Sequence, residues 1–237
     1  MRLLTLNLRH GGGVRMAGLA ERLVAADADV LVLSEYRHNE AAGELHRRLA
    51  GAGYLHRRAS CHGPRVNGLL VAARRPFRAA PHRLLAFDDL RLLRVRFPEF
   101  FLVAAHLPNL KAKIPHWEAL LELAAGPRLR HHPHPTVFMG DFNTGLEHED
   151  VEGGPFPFTG AGDMRTLLGM GWSDAWRKVH PDGREFSWYS HRNRGFRLDH
   201  AFLSPHCQNR LLGAGFDHEV RTSGLTDHSA LWVDLKI

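Results

Sequence analysis

Apolar and polar residues alternate along the chain in two periods: short runs that suit strands, and spacings of three to four that suit helices. Arg2 to Leu8 alternates loosely and runs into Gly11-Gly12-Gly13, which predicts a strand opening into a flexible loop. Met16, Leu19, Leu23 and Val24 share one helical face, so a helix is expected over Val14 to Ala26, closed by Asp27 and Asp29. Val30-Leu31-Val32-Leu33 is a continuous apolar run of buried-strand type, and it delivers Ser34-Glu35 to its end. Ala41, Leu45 and Leu49 predict a second helix over Glu40 to Ala50.

Further strands are expected at Gly68 to Ala73, Leu92 to Phe97 and Phe100 to His106, the last two joined by Pro98-Glu99 as a hairpin. Ile114, Trp117, Leu120, Leu121 and Ala124 mark a helix over Lys113 to Ala125. Gly126 to Pro135 is a proline-broken connection, and its tract His131-His132-Pro133-His134 reads as a solvated loop before a metal site. Thr136-Val137-Phe138 is too short for a helix and predicts a buried strand running into Met139-Gly140-Asp141-Phe142-Asn143. Leu146 to Gly162 is a long glycine- and proline-rich loop. After it come a short helix at Met164 to Leu168, a strand edge at Trp172 to Arg177, and strands at Phe186 to Tyr189, Phe196 to Leu203 and Ala230 to Leu235.

Polar groups collect where these strands end. Asp141 and Asn143, two apart at a strand end, point to one side, although an ordinary Asx turn explains that pentapeptide equally well when taken alone. Asn7, Glu35, His106 with the following Asn109, Asp199, and the pair Asp227 and His228 occupy corresponding places. Each has a plain explanation: Asn7 caps a turn, Glu35 precedes a helix, His106 is a satisfied core histidine. Together they form what a magnesium-assisted phosphate ester hydrolase requires. Mg²⁺ takes hard oxygen ligands, few of them from protein, and Glu35 and Asn7 are of that type.

Composition narrows the picture. At 237 residues with 44% hydrophobic content the chain can bury a large core, and one domain spanning 1–237 is the simplest expectation. No apolar stretch has the length of a membrane span and no leader is evident at Met1 to Leu6, so a cytoplasmic location and a monomer are expected. Cys61 and Cys207 lie far apart without metal-type spacing and read as reduced structural thiols. The net charge of +6, carried mainly by arginine, favours phosphate-rich partners, while GC-rich coding composition accounts for it equally well.

The motifs Leu6-Asn7-Leu8-Arg9, Leu33-Ser34-Glu35, Ala105-His106-Leu107-Pro108, Gly140-Asp141-Phe142-Asn143, Arg197-Leu198-Asp199-His200 and Thr226-Asp227-His228 resemble, in content and order, the endonuclease/exonuclease/phosphatase superfamily. The resemblance runs from the first strand to the last. It implies an α+β fold, a four-layer α/β/β/α sandwich of two mixed β-sheets packed face to face with helices outside. It further implies a Mg²⁺-dependent hydrolase, with Mn²⁺ as a substitute, in which Glu35 is the principal metal ligand, Asn7 lies beside it and Asp227 lies close. By the same resemblance Asp141 orients or deprotonates the attacking water, and Asn143 fixes that water or a phosphate oxygen. His228 contacts the scissile phosphate, held by Asp199, and His106 lies near it.

Substrate contacts follow less directly. Arg9 stands where the deoxyribonuclease I branch has arginine and some abasic-site enzymes an acid, and it either grips a backbone phosphate or is simply solvated. Phe196 holds the place that lines the pocket for a base-free sugar in abasic-site enzymes, and is equally an ordinary core residue. Arg192 and Arg194, with the segment through Arg197, suit contacts to a nucleic-acid backbone. A DNA nuclease is therefore the leading expectation. A phosphatase or phosphodiesterase for a small or lipid-linked phosphate such as an inositol phosphate is the alternative, and a silent nucleic-acid-binding module is the third.

Overall fold

In the computed structural model, which describes residues 1–80, 90–126 and 134–237, two six-stranded mixed sheets lie face to face. The first contains β1 (Arg2–Asn7), β2 (Val30–Tyr36), β3 (His56–Ala59) and β4 (Gly68–Ala73), together with β13 (Leu211–Asp217) and β14 (Ala230–Leu235), in the order β13-β14-β1-β2-β4-β3. The second contains β5 (Arg78–Ala79), β6 (Leu92–Arg96), β7 (Phe101–His106), β8 (Thr136–Asp141), β9 (Ser173–Asp174) and β12 (Asp199–Leu203), in the order β5-β6-β7-β8-β12-β9. A ribbon of β10 (Trp188–Tyr189) and β11 (Gly195–Phe196) stands apart.

The two-residue period of a strand explains the layering. Leu3, Val30, Val32 and Val71 of the first sheet meet Leu102, Ala104, Val137, Met139 and Leu203 of the second in one buried core. Their sequence neighbours Leu4, Leu6, Leu31 and Leu33 face the other way, onto α1 (Met16–Ala25) and α2 (Glu40–Gly51) through Leu19, Leu23, Leu45 and Leu49. On the far side, Val103, Ala105 and Phe138 pack on α3 (Ile114–Ala125) and α4 (Ala161–Gly169) through Trp117, Leu120, Met164 and Leu167. Four layers result, as the motifs imply.

Each sheet contains one parallel pair joined through a helix, β1 to β2 and β7 to β8. A right-handed β-helix-β unit brings both carboxyl ends to the same edge. Asn7 therefore sits beside Ser34, His106 beside Asp141, and Asp199 opposite Asp141 on antiparallel β12. Gly140 makes the second register possible. Its φ is +149°, and an added Cβ would stand 1.9 Å from the Ala105 carbonyl oxygen, a position closed to any other residue.

Several expected elements are revised. Residues 172–177 form only a two-residue strand before turning into α5 (Ala175–Val179), because the Asp174 carboxylate caps the helix by accepting from Arg177 N at 3.0 Å. The expected strand Phe196 to Leu203 is broken at Arg197-Leu198, where Arg197 N donates to Asp150 O and Leu198 N to Ser187 Oγ. Strands β3 and β13 and the short helix α6 (Glu219–Thr222) were not expected. Of the histidine tract, His131, His132 and Pro133 lie outside the described residues, while His134 stands edge-on to the Phe101 ring at 5.6 Å. No described helix is long and apolar enough to cross a membrane.

Arg197 requires a correction. Expected at a nucleic-acid backbone, it is 1% exposed and paired with Asp150 and Asp174, while His200 Nδ1 also meets Asp174 Oδ2 at 2.7 Å. Burial opposes the charge on Asp174, but Arg197 and His200 outweigh it and hold its carboxyl far below the usual range. A carboxylate depressed in the folded state contributes stability that is complete above its unfolded pKa of about 3.9 and fades as pH falls further. Asp174→Asn is thus expected to cost about 3 kcal/mol at pH 7, leaving Arg197 short of a counter-charge, and progressively less below about pH 4. Urea unfolding of both proteins at three pH values measures that difference.

Candidate active site

Backbone distortion aims the first two groups. Glu35 has φ +53° and sits at a break in register between β2 and β4, so the strand bulges and its carboxylate leaves the sheet. Beyond β1, residues Arg9 to Gly13 all have positive φ, and this turn places His10 N 2.7 Å from Glu35 Oε2 and His10 Nδ1 3.0 Å from it. Asn7 is anchored through its carbonyl, which accepts from Thr226 Oγ1 at 2.7 Å. Its side-chain nitrogen points at two carboxylates, Asp141 Oδ2 at 3.0 Å and Glu35 Oε1 at 3.4 Å.

Asp141 occupies the centre. Its other oxygen accepts from Asn143 N at 2.9 Å, and Asn143, with φ +48°, donates its amide to Leu107 O at 2.9 Å. His106 Nε2 lies 3.9 Å from both Asp141 Oδ2 and Glu35 Oε1, and His228 Nε2 lies 3.9 Å from Asp141 Oδ2. Behind His228, Nδ1 meets Asp199 Oδ2 at 2.8 Å, and Ser187 Oγ accepts from the Asp199 backbone N–H.

These distances set the charges. Burial disfavours a cation on His228, yet Asp199 and Asp141 overcome it and raise the imidazole to about 10, so the ring is an imidazolium at neutral pH. Burial pushes Asp141 up to about 6, with His228 pulling the other way. Burial and then Arg91, whose Nη1 is 3.0 Å from Nδ1, lower His106 to about 4 and leave it neutral. Glu35 ends below its ordinary value: burial opposes its charge, and the hydrogen bond from His10 N does most to overcome it. The site therefore contains a buried carboxylate near neutrality, a fixed cation beside it and an ionised carboxylate across from it.

These groups surround one cleft of about 590 Å³. Of the residues expected at the site, Asn7, Glu35, His106, Asn109, Asp141, Asn143, Phe196, Asp227 and His228 line it. Asp199 lies behind His228. Arg9 stays exposed at the rim, its Nε 3.9 Å from Asp227 Oδ2. Arg192 is exposed outside the cleft lining. Arg194, expected as a substrate contact, lies outside the cleft lining; its guanidinium donates to the carbonyls of Glu152 and Gly154 and covers the Phe156 and Phe196 rings.

The lining also contains His10, Arg91, Lys113, Phe156 and Trp188, none of which the motifs single out as site residues.

The donor set has the chemistry of a divalent-cation site. Glu35 and Asp227 both line the cleft and supply hard oxygens, which suit Mg²⁺ or Mn²⁺. Asn7 presents its NH₂ to the cleft because its oxygen accepts from Arg9 N at 2.8 Å, so ligation through that oxygen requires a half-turn of the amide. Asp141, Asp199 and His228 also bring ligand atoms within 4.8 Å of one another, but the bond between His228 and Asp199 makes them a hydrogen-bonded set and not an open cation site.

Residues 4–228 match the Endonuclease/Exonuclease/phosphatase family. Among curated proteins, Recombination repair protein 1 of Drosophila melanogaster is 27% identical over 173 residues, covering 64% of this chain and 25% of its own length. Exodeoxyribonuclease III of Haemophilus influenzae is 31% identical over 78 residues, 30% of this chain and 29% of that protein. The match thus spans between a quarter and a third of either relative. Solved structures of similar fold include a 3' phosphatase from Neisseria bound to a product DNA hairpin, at TM-score 0.81 and 21% identity, and an AP endonuclease from Archaeoglobus fulgidus, at 0.78 and 19%, each aligned over 100% of both chains. With its strand ends gathered at one cleft and its sequence matched almost from end to end, the chain belongs to the endonuclease/exonuclease/phosphatase family of phosphate ester hydrolases.

Proposed function

We propose that this protein hydrolyses phosphodiester bonds in DNA with the help of a divalent cation, Mg²⁺ or in its place Mn²⁺. The observation that supports this best is the placing of Asp141 at once 3.9 Å from the His228 imidazolium and 3.9 Å from His106, in a cleft that Glu35 also lines, itself 3.9 Å from His106. Hydrolysis of such a bond needs an in-line nucleophile, stabilisation of charge growing on the non-bridging oxygens, and help for the departing oxygen.

Asp141 suits the first need. A carboxylate raised by burial is a better proton acceptor than an exposed one and draws a proton from water held beside Asn143. His228, kept charged by Asp199, meets the second by placing a buried cation at the non-bridging oxygens. Glu35 and Asp227, with Asn7 adjoining, would hold a divalent cation, which would supply Lewis-acid charge at the phosphate. His106 is neutral, and because its Nδ1 accepts from the Arg91 guanidinium its proton sits on Nε2, which donates to a phosphate oxygen or water without adding charge. Glu35→Gln is expected to weaken Mn²⁺ binding, followed by electron paramagnetic resonance, by about tenfold or more while the thermal melt is kept.

DNA is favoured by the net charge of +6 and by the relatives, whose names speak of recombination repair and of an exodeoxyribonuclease. Removal of a terminal phosphate is the second reading, favoured by likeness to the Neisseria 3' phosphatase. Circular DNA, duplex with an abasic site, a 3'-phosphorylated oligonucleotide and inositol phosphates, each incubated with Mg²⁺, distinguish the readings. Strand cleavage supports the first. Release of inorganic phosphate without cleavage supports the second. Binding of DNA with neither product overturns both.

A further inference from the structure

Lys113 enters the cleft from the last residue of a 3-10 turn, Leu110–Lys113, that leads into α3. It is 2% exposed, and the mechanism above does not use it. Its Nζ donates to the Asn143 carbonyl and to Thr144 Oγ1, the latter at 3.2 Å. Among the described residues these partners are neutral, and neither is a carboxylate. A buried cation without a contacting counter-ion is costly, and burial lowers this ammonium to about 8, with the more distant charge of Asp141 acting the other way. An ammonium has three N–H bonds, and two are used inside the protein. An anion arriving in the cleft would supply both the missing counter-charge and the third acceptor.

We infer that Lys113 is a phosphate-binding residue of this cleft, donating to a non-bridging oxygen of the bound phosphate group while its other two N–H bonds fix the Asn143-Thr144 turn. The inference rests on the reading of the cleft as a phosphate ester site and adds a residue to it. It ties substrate binding to catalytic geometry. Asn143 is held in a left-handed conformation by Asp141 on one side and Lys113 on the other, and Thr144 Oγ1 continues the chain of contacts to the Phe142 carbonyl and the Trp117 ring nitrogen. Phosphate recruited by Lys113 would therefore arrive against a turn already set.

The probe is inorganic phosphate added to the metal-free full chain, read by calorimetry and by the side-chain resonance of Lys113. Wild type is expected to bind phosphate with a shift of that resonance. Lys113→Met should weaken binding by about tenfold or more, and Lys113→Arg should restore part of it. Unchanged phosphate affinity in a folded Lys113→Met protein would overturn the inference. So would a Lys113 resonance that does not respond to phosphate in wild type, which also decides the matter where the variant fails to fold. The measurement uses neither DNA nor hydrolysis, so failure of the nuclease reading shows in the substrate panel and failure of this one in the titration.

Discussion

Replacing Asp141 with asparagine is expected to slow phosphodiester hydrolysis on the order of 10³-fold while leaving the protein folded. The expected loss lies within the range for removing a general base that is also the positioning group for water. An amide has the same shape and still accepts from Asn143 N through its oxygen, but it cannot take a proton at any pH. Stability should change little, because two effects oppose. Removing a fully buried charge relieves the desolvation that raises this carboxyl, whereas the new NH₂ faces the Asn7 side-chain nitrogen, now 3.0 Å from Asp141 Oδ2. Single-turnover cleavage of DNA alongside a thermal melt separates the two. Cleavage near the wild-type rate in a folded variant would remove Asp141 from the chemistry.

His228→Ala is expected to lower the rate by about 10²–10³-fold, the range for losing one preorganised group at developing charge. The residue that makes this histidine useful is Asp199, whose Oδ2 lies 2.8 Å from Nδ1 in a buried setting. Without that partner burial would favour the neutral ring, so Asp199→Asn should reproduce most of the loss with the imidazole still present. In a double variant the second substitution should then add little, because both act through one cation. Fully additive losses would show that Asp199 acts by some route other than His228.

How much of this was legible in the sequence depended on whether a local pattern carried the signal. The strands of the two parallel pairs are apolar runs bounded by glycine and polar residues, so their ends, and with them Asn7, Glu35, His106 and Asp141, could be placed in advance. Strand β3 could not. His56-Arg57-Arg58-Ala59 pairs only with β4 at a sheet edge, so nothing requires it to look apolar. In β13, Gly213 and Gly215 break the apolar pattern because the Trp232 indole of the neighbouring strand fills the space a side chain would need. Arg197 was misjudged because an arginine looks solvent-directed until its partners, here Asp150 and Asp174, are folded around it. Lys113 escaped notice because its helix reads as amphipathic with lysine at the end, and only the tertiary fold turns that end into the cleft.

The measurement that bears most directly on the whole scheme is cleavage of a labelled duplex containing one abasic site, by wild type and by Asp141→Asn, in Mg²⁺ and again after EDTA. Wild type should cleave in Mg²⁺ and stop on chelation, and the variant should be nearly inert in both. Cleavage that persists in EDTA, or that the variant performs as fast as wild type, would contradict the assignment of this cleft as a cation-assisted phosphodiesterase.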